Sequence, residues 1–212
     1  MSPIDKSLHN PPCEIESRLS DGRAVCLRTI RPSDESRIRE GITEMSDRSR
    51  YLRFFSAFRE PPDSIVKRLS AVDGHDHIGW GAILLDGDVY PPIAAAHAIR
   101  SDHTPFLGEL AIAVLDDYQG LGLARMLIAA LLIDCADEGI FCLEMQLLAE
   151  NRPAANLLTE LGANREPALD SVGHYSLDVK SALRRFRNMP QLAGVADGFA
   201  ALGANRTATG NC

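Results

Sequence analysis

The stretch DDYQGLGLARML, residues 116–127, sets Gly120 and Gly122 at the point where an apolar helix is about to begin. Glycine inside a helix costs roughly 1 kcal/mol against alanine, so its place there calls for a compensating use. The first N–H groups of a helix have no internal acceptor and lie at the positive end of its dipole, which suits them to an anion. With no Cβ at Gly122 and only a methyl at Ala124, a bulky diphosphate can reach the first amides of the helix without meeting a side chain. The Arg125 guanidinium would add charge. A tight turn that needs only positive φ would use the same glycines, and the stretch alone does not separate the two uses. A phosphate loop ending in Lys-Ser/Thr is absent, and a GxGxxG fingerprint fails at Arg125, where it needs a small residue.

Glu109 is the second reactive feature, the one charge in GELAIAV. Strand alternation places Glu109, Ala111 and Ala113 on one face, opposite Leu110, Ile112 and Val114. A carboxylate so held can accept a proton as a general base, whereas its plainer use is a surface ion pair at a strand end. Glu144, alone in FCLEMQLLA, is the second choice, with a solvated strand position as its plainer use. His75-Asp76-His77 resembles part of a metal site, but lacks a further ligand and reads better as a solvated loop. His97 and His174 fall in strand-like runs and read as packed or half-buried, and Cys135 as an inert buried thiol.

These groups need elements to hold them. Ala24–Thr29 reads as a first strand, Pro32-Ser33-Asp34 as the start of a helix through SRIREGITEM, and SRYLRFFSAF as a second helix. In that second helix Tyr51, Phe54, Phe55 and Phe58 recur at i, i+3, i+4, i+7, which predicts a buried aromatic stripe. HIGWGAILLDG, IAAAHAIR and ELAIAVL follow as an antiparallel meander. A helix over about 122–138, a strand at FCLEMQLLA, a helix in NRPAANLLTELGA and a last strand at HYSLDV complete the order. Asn151 is the N-cap of the penultimate element, Pro153 lies in its first turn, and Gly162 terminates it. The expected architecture is α/β, of mixed α+β character, with one mixed, mostly antiparallel sheet flanked by helices. Residues 1–22 read as an arm, 23–180 as the domain and 181–212 as a flexible tail, after a frayed helix at RRFR.

Composition narrows the class. A chain of 212 residues with a net charge of −7 is a poor partner for nucleic acid, whose binding rests on cationic contacts to phosphate. No apolar run is long enough for a membrane span, and no secretory h-region opens the chain. The five cysteines are scattered, without CxxC spacing, so neither zinc nor a disulfide framework is expected. A reducing, cytoplasmic setting follows.

Twenty-nine residues past Gly122 comes Asn151, and here the two halves combine. Gln119-x-x-Gly122-x-Ala124, then Asn151-x-x-Ala154-x-x-Leu157 with Gly162, resembles the paired signature of the GNAT superfamily of acetyl-CoA-dependent N-acetyltransferases. The likeness covers residues 24–180. It implies a GNAT-type fold, acetyl-CoA as cosubstrate with no metal, and the diphosphate on the amides from Gln119 to Arg125. It further implies that the pantetheine arm pairs with the strand at Ile112, Ala113 and Val114 and touches Asn151, whose capping role is compatible with that contact. LRTIRPSD, SDRSRYLRFFS and GELAIAVLDDYQGLGLARMLI resemble the acetyltransferase domain of Pat-type protein lysine acetyltransferases, in which an acidic residue at the place of Glu109 is the proposed base. That implies an amine acceptor, in the first place a protein lysine, with a small-molecule amine as the alternative and a homodimer left open. Neither nucleic acid nor membrane is an expected partner. Many GNAT enzymes carry tyrosine where this chain has Leu158, and its hydroxyl protonates the departing thiolate. Tyr175 or water would have to substitute, and a CoA-binding sensor without catalysis is the rival from another class.

Overall fold

The computed structural model describes residues 13–56, 58–87, 89–167 and 171–188. The strands are β1 (Ile15–Arg18), β2 (Ala24–Thr29), β3 (His77–Leu84), β4 (Pro92–Arg100), β5 (Leu107–Val114), β6 (Cys142–Leu148), β7 (Asn164–Arg165) and β8 (Val172–Asp178). The helices are α1 (Glu35–Glu44), α2 (Asp47–Phe54), α3 (Asp63–Ser70), α4 (Leu123–Asp137), α5 (Arg152–Leu161) and α6 (Val179–Asn188). All eight strands join one sheet in the order β1-β2-β3-β4-β5-β6-β8-β7. Its first five strands form an antiparallel meander. Only β5 and β6 run parallel, because α4 carries the chain back across the sheet between them.

Alternation divides the sheet into two unlike faces. Trp80, Ala96, Ala98, Leu110 and Leu143 point into the main core, against Leu127, Leu131 and Cys135 of α4. The run of alanines on β4 lets α4 lie close to the sheet, and the Trp80 indole N–H donates to Asp134 at 2.6 Å, which pins the helix. Desolvation first, then the Asp134 charge, pushes the Cys135 thiol up to about 12, so this buried sulfur is inert as expected. The opposite face is covered by α1, α2 and α3 and carries Gly81, Ala95, His97, Ala113 and Glu109.

Four expectations are corrected. The aromatic stripe is not buried: α2 stops at Phe54, Phe55 turns to φ 54°, and Tyr51 and Phe55 are each 42% exposed. The inward position belongs to Arg50, which donates to the carbonyls of Ile42, Thr43, Met45 and Phe58 and to Asp47. Carbonyls at the end of α1 lack partners within their helix, and a buried guanidinium supplies them. The second correction concerns the tail boundary at 181. Val179, Ala182 and Phe186 form a buried stripe on α6, packed against α4, while the Asp178 carboxylate accepts the Ser181 N–H at 2.7 Å. Val179, Ala182, Leu183 and Phe186 recur at i, i+3, i+4 and i+7, a helical period that the reading of this segment as a frayed end passed over. The rest of the expected tail, residues 189–212, lies outside the described residues.

Third, the 1–22 arm contains β1, with Ile15 and Leu19 each 3% exposed; residues 1–12 lie outside the described part. Fourth, Cys13 and Cys26 form a disulfide, with Cα atoms 5.5 Å apart. Their partnership follows from the pairing of β1 with β2, which no local spacing reveals. Helix α3 is absent from the sequence reading as well. Its three apolar residues, Ile65, Val66 and Leu69, are too few to display a period.

Candidate active site

The parallel pairing of β5 with β6 lasts three residues: Leu107 with Cys142, Gly108 with Leu143, and Glu109 with Glu144. Beyond that point β5 runs on to Val114 and β6 to Leu148 without pairing, so the sheet opens into a cleft. Leu115 N–H donates to the Ile93 carbonyl at 2.9 Å, so in this ladder the odd-numbered residues of β5 exchange bonds with β4. The N–H and C=O groups of Ile112 and Val114 therefore face the cleft, and Ala113 turns its methyl to the α1–α3 side. An extended chain entering the cleft meets backbone groups that nothing among the described residues pairs, apart from the Val114 carbonyl.

That carbonyl accepts the Gln119 side-chain amide at 3.1 Å, and the same amide reaches Ser49 Oγ at 3.3 Å. Gln119 N–H is also spent, on Asp116 C=O at 3.2 Å. The run of amides with no acceptor among the described residues begins at Gly120 and continues through Leu121, Gly122, Leu123 and Ala124 to Arg125. Gly120 and Gly122 take φ values of 73° and 89°. Both glycines thus meet a conformational demand that side chains resist, and a Cβ built on Gly120 would meet open space. Positive φ at both glycines is what turns these amides outward, so the same turn that the glycines make possible leaves room for an anion. Arg125 is engaged by Glu160 of α5, so its guanidinium already has a counter-charge.

Asn151 begins α5 on the β6 side of the cleft. Its Oδ1 accepts Ala154 N–H at 3.3 Å, and its two amide hydrogens have no acceptor among the described residues. Leu158 is buried in the core with Leu161, and Tyr175 shares that layer on β8. Leu158 offers no hydroxyl at its place on α5.

On the α1–α3 side a cavity of about 80 Å³ lies beneath these helices, with Arg53, Phe54, His97 and Ala113 in its wall. Glu109 and Glu144 stand side by side at the closed end of the cleft, both exposed. Arg53 projects from α2, its guanidinium 4.8 Å from the Phe54 ring, and is influenced by the charge of Glu109. Desolvation lowers its pKa to about 10, the Glu109 charge opposes that shift, and Arg53 stays charged at neutral pH.

His75 and His77 go separate ways. His75 Nδ1 lies 2.6 Å from the Glu138 carboxylate at the surface, while His77 is buried with Nε2 3.0 Å from His97 Nδ1. His77 Nδ1 lies 3.1 Å from the Ala71 carbonyl, which can only accept, so that nitrogen carries the hydrogen. For neutral rings, His77 Nε2 is then an acceptor, His97 Nδ1 donates to it, and His97 Nε2 keeps a lone pair. Desolvation is the first cause holding both imidazoles below the ordinary 6.5. Their contribution to stability is full above about 6.5 and is lost as pH falls toward the folded-state values, because the unfolded chain protonates first. Urea midpoints measured at pH 7.5 and 5.5 should drop at the lower pH by more in the parent than in His97→Gln. Equal drops would show that the pair does not set the dependence.

Residues 35–163 match the family described as Acetyltransferase (GNAT) family. The chain belongs to the GNAT family. Along 149 residues it is 32% identical to acetyltransferase Pat of Mycolicibacterium smegmatis, covering 70% of this chain and 44% of that protein. The chain thus spans less than half the length of that curated relative. The crystal structure of the GNAT domain of S. lividans PAT superposes with a TM-score of 0.69 at 24% identity, over 80% of this chain and 99% of that one. Spermidine N-acetyltransferase from Vibrio cholerae, in complex with CoA and spermine, gives a TM-score of 0.58 at 16% identity, over 75% of this chain and 98% of its own. The GNAT fold is the mixed eight-stranded sheet described above, and the family draws its acyl group from acetyl-CoA. Among the described residues no helix is long and apolar enough to cross a membrane.

Sequence reasoning puts Arg53, with Arg48 and Arg59, on the flanks of the aromatic helix without relating it to Glu109, and it misses Ser46, Ser49 and Asp116 as neighbours of the site. The Asp116 carboxylate accepts from Ser46 N–H at 3.2 Å, Ser46 Oγ at 3.0 Å and Ser49 Oγ at 2.8 Å, tying the start of α2 to the loop before the glycines. The partners lie about seventy residues apart, a separation that no motif spacing encodes.

Proposed function

We propose that this chain is an acetyl-CoA-dependent N-acetyltransferase that passes acetyl directly to a primary amine, with Glu109 as the base. The observation that carries the reading is the opening between β5 and β6. One end of it is closed by Glu109, and the other leads to the unpaired amides of Gly120 through Arg125. The pantetheine arm would add to β5 through the backbone of Ile112 and Val114, flanked by Ala113 and met by the Asn151 amide. The diphosphate would rest on the helix-start amides. Bound there, the cosubstrate supplies a thioester carbonyl as electrophile.

An ammonium has no lone pair to attack that carbonyl, so Glu109, directly or through one water, removes a proton first. A thiolate with a pKa near 8.5 is a serviceable leaving group at neutral pH, so the reaction tolerates Leu158 in place of a tyrosine. The Pat-like segments and the Pat relative support a protein lysine as acceptor, with a small amine second. Buried Leu158 favours one further reading, a CoA-binding sensor that performs no transfer.

Millimolar acetyl-CoA should raise Tm by several degrees. At a hundred times Kd, binding to the folded state alone adds about 2.7 kcal/mol. No shift would remove the cofactor site from consideration. Thiol release measured with peptides and amines, with mass spectrometry of products, separates enzyme from sensor, since a sensor frees no CoA with any acceptor.

A further inference from the structure

Charges around the closed end of the cleft are sorted by side. Glu109 and Glu144 are in register on adjacent parallel strands, so both carboxylates project from the same face of the sheet and concentrate negative potential there. Packed over these strands is α2, whose Arg53 feels the Glu109 charge as well as that of the exposed Arg68 on α3. The two imidazoles beside Arg53 are held neutral by burial and offset none of this charge.

Arg53 differs from the other inward-reaching arginines of this side. Arg28 makes a two-pronged pair with Asp34, at 2.8 and 2.6 Å, and Arg50 is saturated by carbonyls. Arg37 donates to the Tyr90 carbonyl at 2.8 Å. The Arg53 guanidinium is half-buried in the wall of the cavity, yet none of its N–H groups meets a hydrogen-bond acceptor among the described residues. Its nitrogens remain open to water, so these free donors are available to an anion, which a guanidinium can hold through paired charge-assisted hydrogen bonds.

We infer that the acceptor is an amine that also carries an anionic group, its ammonium directed to Glu109 and Glu144 and its anion to Arg53. This rests on the acetyltransferase reading above and deepens it. Polycations satisfy only one side of such a site and set a positive charge against Arg53. Two sources share the required chemistry: a lysine flanked by aspartate or glutamate in a protein, and a small amino acid with its own carboxylate.

The test is steady-state kinetics at saturating acetyl-CoA with two series. In one, a single peptide carries its lysine flanked by Asp, Asn or Lys. In the other, free amino acids are compared with their amides. If the acceptor is a protein, the Asp-flanked peptide should have a KM about tenfold below the Lys-flanked one, the discrimination expected of one charge-assisted hydrogen bond. If it is small, the free acids should lead their amides by a similar factor. Arg53→Gln should erase the preference by raising KM with kcat little changed, and Arg53→Lys should restore part of it. A preference in the parent chain is readable even if a variant does not fold.

Equal KM across each series, or a preference for the cationic member, would overturn the inference and leave the acetyltransferase reading standing. So would an Arg53→Gln variant that loses kcat uniformly with every acceptor, because Arg53 would then act by orienting Glu109. Failure to release CoA with any acceptor tested would sink the acetyltransferase reading and the inference together.

Discussion

Replacing Glu109 by glutamine should lower kcat by about 10²–10⁴-fold, the range that general-base removal ordinarily costs, while the Kd of acetyl-CoA stays unchanged. Glutamine keeps the size and hydrogen-bonding reach of the side chain but cannot take a proton from an ammonium. The cofactor contacts proposed here lie further along, on the backbone of Ile112 and Val114 and on the amides from Gly120 onward, so binding should survive. Isothermal titration with acetyl-CoA and turnover with the best acceptor, run on the same preparation, check both halves. Glu144→Gln serves as the comparison. Its carboxylate shares the field at the closed end of the cleft, so its loss should act mainly on KM. A variant at Glu109 that retains full turnover would remove it as the base, and a collapse at Glu144 alone would transfer the role there.

The largest effect on stability is expected at Asp34. Arg28 and Asp34 are 4% and 8% exposed and joined by two hydrogen bonds, with Asp34 also accepting the Arg31 N–H at 2.8 Å. Asp34→Ala leaves a guanidinium buried under α1 without its counter-charge, which should cost about 3–5 kcal/mol in urea denaturation. Removing both charges, with Arg28→Met in the same chain, should recover much of that loss. If it does not, packing rather than charge dominates the site.

Burial works to raise the Asp34 carboxyl pKa, but the hydrogen bonds and charge of Arg28, with the Arg31 amide, outweigh it and hold the group below the ordinary 3.8. The stability it contributes is therefore present above about 3.8 and is lost as pH falls through the folded-state value. The Asp34→Ala variant should lack that acid dependence. This dependence lies below the one set by His77 and His97, so the two are separable in a single pH series.

Much of the site was legible in sequence because its signals are local. The glycines of DDYQGLGLARML, the apolar helix after them, the capping Asn151 and the lone charge at Glu109 each act within a few residues, where backbone geometry follows from side-chain type. Those signals determined the helices α4 and α5, the order of the central strands and the family. The direction of the amides at Gly120 and Gly122 is likewise a local consequence of positive φ.

What only the tertiary structure decided are relations across the sheet and between its layers. That β5 and β6 part after Glu109, that Glu144 falls beside it, and that Arg53 reaches the same place with its donors unmet depend on register and on the packing of α2. The His77–His97 bond joins residues twenty positions apart on neighbouring strands, and Cys13 finds Cys26 through the pairing of β1 with β2. The aromatic stripe at Tyr51, Phe54, Phe55 and Phe58 shows the limit most plainly. Helical spacing can state which residues share a face, but not which face the rest of the chain will cover. Here the uncapped carbonyls at the end of α1 drew Arg50 inward instead.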